Sequence, residues 1–528
     1  EALLAAMRAL RHPRQRFQLA MLAFMPATPA SLHVPVISRR SSRCVQSLSM
    51  SAEASATPVG GRTSAAVTQG RKDGGANAAP MDLNPPRGTR DFYPGDMAVR
   101  NWLFGHWRRV AAEHGFEEYD APVLENEELY VRKAGEDVSQ QLYNMEDRSG
   151  RQLSLRPEMT PSLARMVLAK RSAMPLPLKW FSIPQCWRYE RTTRGRRREH
   201  YQWNMDVWGV EGVHAEAELL SASVSFMRSV GLSEADVGIK VSTRAVLAEL
   251  LRSLGVPDDK FAATCVLVDK LDKLPAEEVR KALVESGVPA DSTETLLKAL
   301  EVTDFDALRG VMGGDSPAVC ELESFFDLAD AYGYRDWLVL DVSVVRGLAY
   351  YTGLVFEGFD RAGELRAIFG GGRYDRLLST FGGEDMPAAG FGYGDAVIVE
   401  LLKARQLMPE LPPSSVEVVV FAMQAQLQPQ AIGVATALRA AGRQVDLVLG
   451  QKKTKWAFKH ADRLQAAYVA ILAPDEAAKG LVRIKRLSDG EQVMPPLLPQ
   501  PLPPSLQVYC SPLRPCCVPL CRRMFRWK

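Results

Sequence analysis

The stretch from Trp180 to Gly209 limits what this chain can fold into more than any other part of the sequence. It holds two extended runs joined by a short, strongly basic loop, and this pattern predicts a β-hairpin. Arg188 and Glu190 are expected to share one face of the first run, since strand side chains alternate. In the second run the polar side chains are Gln202, Asn204 and Asp206, and the apolar ones are Tyr201, Trp203, Met205 and Val207. One face of the predicted hairpin is therefore polar and the other apolar.

A solvated outer face is the ordinary interpretation of such alternation. The loop between the two runs favours a binding face instead. It carries the arginines Arg191, Arg194, Arg196, Arg197 and Arg198. Cations at this density repel one another unless an anion lies between them, and a triphosphate or an RNA end would supply that anion. We therefore predict a polyanion site over the hairpin.

Length and composition are those of a soluble protein with two or three domains. The 528 residues are 46% hydrophobic and 24% charged, and no apolar run is long enough to span a bilayer, so we expect no membrane partner. The eight cysteines lack the paired spacing of a zinc site. The sequence therefore predicts a reduced, disulfide-free body, and it identifies no metal ligands.

Residues 1–80 contain ten Lys or Arg and only three acids, among many Ala, Ser and Pro. This composition predicts a disordered organellar transit peptide, for chloroplast, mitochondrion or both. The alternative is a disordered extension without function. Met25, Met50 and Met81 are candidate internal starts, and such a start would leave a cytoplasmic form.

Three further segments extend the pattern of the hairpin. They read PRGTRDFYPGDM (Pro86–Met97), VRGLAYYTGLVFE (Val345–Glu357) and FGGGRYDRLLSTFGG (Phe369–Gly383). Together with the hairpin they resemble the motifs of class II aminoacyl-tRNA synthetases, and specifically histidyl-tRNA synthetases of plant or algal organellar type, in family order from about Asp82 to Gln492. The resemblance implies an α/β (α+β) fold, in which an antiparallel-sheet catalytic domain with a helical insertion precedes a smaller α/β anticodon-binding domain.

The domain boundaries follow from composition and from this resemblance. The catalytic domain is expected over 81–408 with a mostly helical insertion at 231–335, a proline-rich linker over 409–415, the anticodon-binding domain over 416–492, and a divergent, disordered tail over 493–528. The expected helix near Gly95–Gly115 carries an apolar stripe that suits either the core or a homodimer axis.

The resemblance also implies a set of site residues. The histidine-binding residues would be Glu158, Met159, Thr160, Arg188, Gln202, Asp206, Arg346, Tyr350 and Tyr351, with Arg346 and Arg188 catalytic. The ATP-binding residues would be Arg188, Glu190, Arg196 and Arg198. Thr160 could instead be an ordinary helix N-cap, and the two tyrosines could be core residues.

A basic stripe in the C-terminal part consists of Lys452, Lys455, Lys459 and Arg463 at helical spacing. A solvated helix face is the common interpretation of such a stripe. The resemblance implies tRNA binding, which suits the RNA backbone.

Two positions depart from the family pattern. Ala349 stands where an acid is common, and Val397 stands where the family places an arginine that contacts the γ-phosphate of ATP. Either Arg196, Arg198 or Arg373 replaces that arginine, or ATP binding is weakened. Nearby, Gly390, Gly392 and Gly394 alternate along a predicted strand, which would let a flat ligand lie against the backbone.

The implied reaction uses ATP and Mg²⁺ to join L-histidine to the histidine tRNA through histidyl-adenylate, releasing AMP and pyrophosphate. A non-catalytic, histidine-sensing regulatory paralogue is the alternative, and Val397 is its best support. A general RNA-binding protein is a second alternative, but it leaves the polar hairpin face without a purpose.

Overall fold

The structure, a computed structural model, describes residues 81–134, 140–257, 260–268, 275–314, 316–344 and 350–497. The predicted transit peptide, nearly all of the predicted tail, Arg346 and Ala349 lie outside these ranges. The helices are α1 (Pro94–Glu113), α2 (Glu128–Ala134), α3 (Thr160–Lys170), α4 (His214–Ser229), α5 (Arg244–Ser253), α6 (Phe261–Val268), α7 (Ala276–Glu285), α8 (Ala290–Leu300), α9 (Phe305–Met312), α10 (Pro317–Ala331), α11 (Leu377–Thr380), α12 (Asp395–Ala404), α13 (Gln428–Ala440), α14 (Thr454–Leu464) and α15 (Pro474–Ala478). None of the helices within the described ranges is both long enough and apolar enough to cross a bilayer.

Three sheets organise the described chain. The strands are β1 (Glu117–Glu118), β2 (Leu124–Asn126), β3 (Tyr143–Glu146), β4 (Gln152–Leu155), β5 (Leu178–Ser182), β6 (Gln185–Trp187), β7 (Glu199–Trp208), β8 (Val237–Thr243), β9 (Leu338–Leu340), β10 (Leu354–Asp360), β11 (Phe369–Arg373), β12 (Ala388–Gly394), β13 (Val418–Ala422), β14 (Val445–Leu447), β15 (Tyr468–Leu472), β16 (Arg483–Arg486) and β17 (Gln492–Val493). The largest sheet has the order β1-β5-β7-β12-β11-β10-β8-β9, with β6 also paired to β7. Its pairs are antiparallel except β1 with β5 and β8 with β9.

The predicted hairpin is confirmed, with a break in its first arm. Strand β7 pairs with β5 through its C-terminal half and with β6 through its N-terminal half. Arg188 and Glu190 are not strand residues, contrary to the expectation. The Glu190 N–H donates to the carbonyl oxygen of Arg188 at 2.9 Å, so the backbone already turns where a strand would continue.

The apolar face of β7 lies in the main core. Trp203 is fully buried and stacks against Trp107 of α1, with ring centroids 5.9 Å apart, while Phe226 of α4 meets both rings edge-on. Helix α1 begins and ends close to its predicted bounds. It buries four residues of the predicted apolar stripe, Leu103, Trp107, Val110 and Ala111, whereas the fifth, Trp102, is half-buried. Burying a large aromatic side chain stabilises a fold by roughly 2–3 kcal/mol, so this stack fixes the sheet against its helices.

The region predicted as a mostly helical insertion, residues 231–335, differs in the structure from that prediction. Helices α7 and α8 match the helical stretches that AEEVRKALVES and STETLLKALEV predict, but β8 lies inside the predicted range and pairs with β10 in the largest sheet. Buried residues of α5 and α7–α10 also belong to the same hydrophobic cluster as β7 and α1. The apolar run from Trp337 to Val345 predicts a longer strand than β9, which covers only Leu338–Leu340. A 3₁₀ turn includes Trp337 before it, and a turn follows it, in which the Val344 N–H donates to the carbonyl of Asp341 at 3.1 Å.

The C-terminal strands form a separate five-stranded sheet in the order β14-β13-β15-β16-β17. The alternation of strands and helices was predicted, whereas the antiparallel β16 and β17 were not. Residues 409–415 contain no helix or strand. The predicted boundary at 492 is too early, since the Val482 N–H donates to the carbonyl of Pro495 and the Leu497 N–H to that of Gly480.

Candidate active site

The polar face of β7 is enclosed by protein instead of solvent. Asn204 is 3% exposed and Asp206 is 1% exposed, while Gln202 is half-buried. Leaving buried polar groups without partners costs free energy, so a buried carboxylate and buried amides indicate a site built around polar contacts. The ordinary interpretation of this face, a solvated surface, is therefore wrong.

The alternating glycines of β12 make room for side chains of β7. A Cβ on Gly392 would lie 1.8 Å from Gln202 Nε2, and a Cβ on Gly390 would lie 2.3 Å from Asp206 Oδ1. Asp206 and Gln202 of β7 thus occupy the space beside Gly390 and Gly392, while Gly392 and Gly394 also line the cavity described below, so the flat-ligand surface along these glycines stays a prediction. Gly394 does have open space beside it, since a Cβ there would meet nothing within 4 Å.

An aromatic wall stands beside Asp206. The hydroxyl of Tyr374 donates a hydrogen bond to Asp206 Oδ1. Tyr350 lies 5.9 Å from Tyr374 and 4.7 Å from Tyr351, measured between ring centroids. Burial, followed by the charge of Asp206, raises the pKa of Tyr374 well above its usual value, so this hydroxyl remains a donor at neutral pH. The structure thus brings Asp206, Tyr350 and Tyr351 together.

Tyr119 also approaches this pocket from the strand β1 side. Its ring lies 5.6 Å from that of Trp180, and its hydroxyl is buried without a hydrogen-bond partner among the described residues. Burial raises its pKa well above the usual value, and the nearby Asp206 adds to this effect. The sequence analysis did not select Tyr119 or Tyr374 as a site residue, although Tyr374 lies in the segment Phe369–Gly383.

The turn before α3 is tied directly to Arg188. Arg188 Nε donates to the carbonyl oxygen of Pro157 at 2.9 Å, immediately before Glu158. Met159 is fully buried and is the N-cap of α3, so Thr160 is the first helical residue and the simple N-cap interpretation of Thr160 is wrong. Glu158, Met159 and Thr160 are therefore held within reach of the first arm of the hairpin.

Arg156 also holds that turn in place, and no pattern in the sequence had indicated it. It is 3% exposed and contacts Asp120 Oδ1 at 2.9 Å, the carbonyl of Ala121 at 2.6 Å and the carbonyl of Gln185 at 3.0 Å. Three acceptors satisfy the buried guanidinium. The connection between β4 and α3 is thereby locked to β6.

The basic loop closes over a cavity of about 200 Å³. Arg196 forms an ion pair with Glu190, and Arg198 stacks over the ring of Tyr189 at 4.0 Å. The cavity is lined by Arg188, Glu190, Gly195, Arg196, Arg197, His200, Gln202, Arg366, Ala367, Ile368, Phe369, Gly370, Gly392, Gly394, Ala396 and Val397. Four arginines face it against one glutamate, so it is a strongly positive site that suits a polyanion. Arg198 does not line it.

Arg373 is excluded as a replacement for the missing arginine. Its side chain is 7% exposed, and its guanidinium forms a two-point ion pair with Glu216 at 2.7 and 2.8 Å and contacts Asp375 at 3.1 Å. Removing one member of such a buried pair costs about 3–5 kcal/mol, which marks Arg373 as a structural residue. Val397 is 8% exposed and lines the cavity, as its predicted position required.

Arg90 joins three of the motifs that the sequence singled out. It contacts Glu199 of β7 at 2.7 Å and Asp395 of α12 at 3.0 Å, and both carboxylates are buried. Asp395 also accepts the backbone N–H of Tyr201 at 3.0 Å. This cluster of one arginine and two carboxylates holds together the segment Pro86–Met97, strand β7 and helix α12. An adjoining cavity of about 570 Å³ is lined by Arg90 and Asp395 and by none of the predicted histidine-binding residues.

His200 is neutral at physiological pH. Burial, with the charges of Arg188 and Arg90, lowers its pKa to about 3. The imidazole therefore adds no charge to the cavity. Burial likewise raises the pKa of the Cys186 thiol to about 12, which leaves that side chain unreactive.

The predicted tRNA-binding stripe is exposed. Lys455, Lys459 and Arg463 lie on α14, while Lys452 precedes the helix and places its ammonium 5.3 Å from the ring of Trp456. Trp456 is 40% exposed and stacks on His460 at 4.7 Å. Exposed cations beside an exposed aromatic ring suit an RNA surface.

Comparison with known proteins identifies the family. The family model described as histidyl-tRNA synthetase matches residues 88–394, and that described as the anticodon binding domain matches residues 417–497. The chain is 56% identical over 412 residues to a histidine–tRNA ligase, chloroplastic/mitochondrial, of Arabidopsis thaliana, covering 78% of this chain and 85% of the relative. It is 40% identical over 408 residues to a histidine–tRNA ligase of Opitutus terrae, covering 76% and 93% respectively.

Solved structures similar to this one include members of the same family. The histidyl-tRNA synthetase of a Nostoc species superposes with a TM-score of 0.66 at 25% identity, over 79% of this chain and 97% of that one. A Bacillus halodurans protein described as an ATP phosphoribosyltransferase regulatory subunit/histidyl-tRNA synthetase has a TM-score of 0.62, and at 22% identity it shows the fold alone. With both family models matched in order and 56% identity to a relative over 412 aligned residues, this chain belongs to the histidyl-tRNA synthetase family.

Proposed function

We propose that this protein attaches L-histidine to the histidine tRNA, by way of histidyl-adenylate. The observation that carries the proposal is the buried polar face of β7, which joins a positive cavity to a pocket of Asp206 and tyrosines. The cavity suits ATP, and the pocket suits an imidazole. A reaction between ATP and histidine needs both sites side by side.

The pocket would select histidine by hydrogen bonding. A neutral imidazole offers one N–H donor and one nitrogen acceptor. Asp206 would accept the N–H, with Tyr374 holding its carboxylate in place, and Tyr351 would meet the other nitrogen. Glu158, Thr160 and Gln202 would surround the α-ammonium group, since a carboxylate and neutral oxygens suit a cation.

Activation joins two anions, so positive charge must lie where negative charge develops. The carboxylate of histidine attacks the α-phosphorus of ATP, the bond to the β-phosphate oxygen breaks, and pyrophosphate leaves. Arg188 would contact the carboxylate and the α-phosphate, and the family resemblance assigns Arg346 to the opposite side. Glu190 and Arg196, which line the cavity, would contribute to the ATP site, whereas Arg198 lies over the ring of Tyr189, outside the lining, and has no role in this proposal. The tRNA 3′-terminal adenosine then accepts the histidyl group, and AMP is released.

Mg²⁺ belongs to the proposal as the ion that accompanies ATP. Within the described ranges, no three His, Cys, Asp or Glu side chains are placed to hold a metal ion, and Glu190 is the one described carboxylate lining the cavity. These residues fit an ion held mainly by phosphate oxygens. When bound, that ion supplies further positive charge to the phosphates.

The partners and the location follow from the family. We propose a homodimer, with part of α1 at the interface, and a chloroplast or mitochondrial location, as in the relative from Arabidopsis thaliana. The regulatory alternative is not favoured, because the match to histidine–tRNA ligases extends through the anticodon-binding domain.

Histidine-dependent ATP–pyrophosphate exchange, followed by charging of an organellar histidine tRNA with labelled histidine, tests this proposal. We expect both activities. Exchange with no charging of any histidine tRNA, or histidine binding with no exchange, would contradict it. Loss of exchange in Arg346→Ala, with an unchanged unfolding midpoint, would support the role given to that residue.

A further inference from the structure

Arg366 is an arginine that the family motifs did not select. It precedes β11, between Leu365, which packs against the main core, and Ile368, which is 2% exposed. The Ile368 N–H donates to the carbonyl of Gly358 at 2.8 Å. Its backbone is thus anchored on both sides, while its side chain lines the positive cavity.

No carboxylate within the described part of the chain forms an ion pair with Arg366. Of the other cations lining the cavity, Arg196 is paired with Glu190, and Arg188 is fixed to the carbonyl of Pro157. Burial, and after it the charge of Arg196, lowers the pKa of Arg366, with Arg188 acting in the same direction and Glu190 and Glu357 opposing them. A guanidinium does not lose its proton in a protein, so Arg366 keeps its charge, and its exposed side chain is open to an anion that enters the cavity.

The sheet order places Arg366 opposite the basic loop. Strand β12 lies between β7 and β11, so the arginines of the β6–β7 loop and Arg366 approach the cavity from the two sides of the glycines Gly392 and Gly394. Two strand spacings separate β7 from β11, roughly 10 Å. Val397 lines the same cavity with an uncharged side chain.

We propose that Arg366 binds the β- and γ-phosphates of ATP, and so the pyrophosphate leaving group, from the β11 side of the cavity. This inference rests on the proposed function and adds a binding residue to its ATP site. Arg366 would supply the positive charge that the neutral side chain of Val397 does not. Its fork of N–H donors suits two phosphate oxygens at once.

The test compares wild type, Arg366→Ala and Arg366→Lys. Dissociation constants for ATP, pyrophosphate and AMP are measured by calorimetry, and KM values by histidine-dependent exchange. For Arg366→Ala we expect about a tenfold to hundredfold weaker binding of ATP and pyrophosphate, as for loss of a charged hydrogen bond. AMP binding and the KM for histidine should change less than about threefold, and Arg366→Lys should fall between.

Arg376→Ala is the matched control, because Arg376 is exposed and lies outside the cavity lining. It should resemble wild type in every measurement. Unchanged ATP and pyrophosphate binding in Arg366→Ala, equal losses for ATP and AMP, or a loss confined to tRNA would overturn the inference. Wild type that binds ATP without activating histidine would refute the proposed function alone, since the binding constants still decide the role of Arg366. Wild type that binds no ATP would refute both.

Discussion

Buried titratable side chains around the site carry both its chemistry and part of its stability. His200 and Asp206 lie near opposite ends of β7: His200 stays neutral beside the arginines of the cavity, and Asp206 is buried beside the tyrosines. Each can be tested by a substitution that preserves size.

The neutral state of His200 makes the folded protein sensitive to acid. Its pKa is about 3 when folded and about 6.5 when unfolded, so the unfolded state binds more protons between these values. Stability therefore falls as pH drops below about 6.5, by about 2 kcal/mol at pH 5 from this group. In urea unfolding, His200→Gln should lose about that much less free energy between pH 7 and pH 5 than wild type does. The exposed His214, changed to Gln, is the control, and an identical pH response of wild type and His200→Gln would contradict the account.

Asp206 should affect histidine more than ATP. Asp206→Asn keeps the shape but removes the charge that would accept an imidazole N–H in a buried pocket. We expect the histidine KM in ATP–pyrophosphate exchange to rise about tenfold or more, since a hydrogen bond to a charged group contributes about 1.5–3 kcal/mol. The ATP KM should stay within about threefold. Tyr374→Phe, which removes only the supporting hydrogen bond, should show a smaller effect on histidine, and equal shifts of both KM values in Asp206→Asn would refute the pocket assignment.

The pairing of β7 with β12 shapes the site because β12 has glycines, without side chains, next to Gln202 and Asp206 of β7. Its glycines sit against side chains of β7 at distances that no Cβ tolerates, so a side chain on β12 competes directly with Gln202 or Asp206. The two positions differ in what would have to move. At Gly392 it is the far end of a glutamine, whereas at Gly390 it includes the backbone carbonyl of Met205 at 2.8 Å.

Gly392→Ala should therefore impair function with little loss of stability. Its new Cβ displaces the Gln202 amide, and we expect the histidine KM to rise several-fold while the unfolding midpoint changes by less than about 2 °C. Gly390→Ala is the contrast, because it presses on backbone and should lower the midpoint clearly. If Gly392→Ala keeps a wild-type histidine KM, then Gln202 does not act in the histidine site.

The charge of the whole molecule is divided between its two functional parts. Residues 81–415 carry a net charge of −13, whereas residues 416–492 carry +4. A net acidic body does not attract RNA by its overall field, so contact with tRNA must depend on local basic surfaces. The exposed cations of α14 are such a surface.

Removing cations from α14 should weaken tRNA binding and leave histidine activation intact. For Lys455→Ala with Lys459→Ala we expect a lower tRNA affinity and a salt dependence flatter by about 0.7–0.9 in log–log slope for each lost phosphate contact. Filter binding across a salt series measures both. Lys479→Ala, an exposed site outside α14, serves as the control. A normal slope in the double variant, or a parallel fall in ATP–pyrophosphate exchange, would count against the stripe.

Local hydrophobic patterns predicted much of this fold. Alternation along β7 predicted which of its side chains enter the core, and the positions of α1, α3, α7 and α8 were close to their predictions. A hydrophobic period of two or of 3.6 residues depends only on residues close in sequence, so it can be recognised without the rest of the chain. The motifs likewise selected Asp206, Tyr350 and Tyr351, which lie around Tyr374 in the structure.

The remaining features depend on pairings between distant segments. Only packing made β8 part of the largest sheet, buried Arg373 against Glu216, joined Arg90 to Glu199 and Asp395, and left Arg366 at the cavity without a carboxylate among the described residues. The identity of an arginine in the sequence does not show whether it pairs with a buried acid or binds a ligand anion. The order of chain segments could thus be deduced from sequence, whereas the partner of each charge could not, because burial and distance set its electrostatic environment and both arise only on folding.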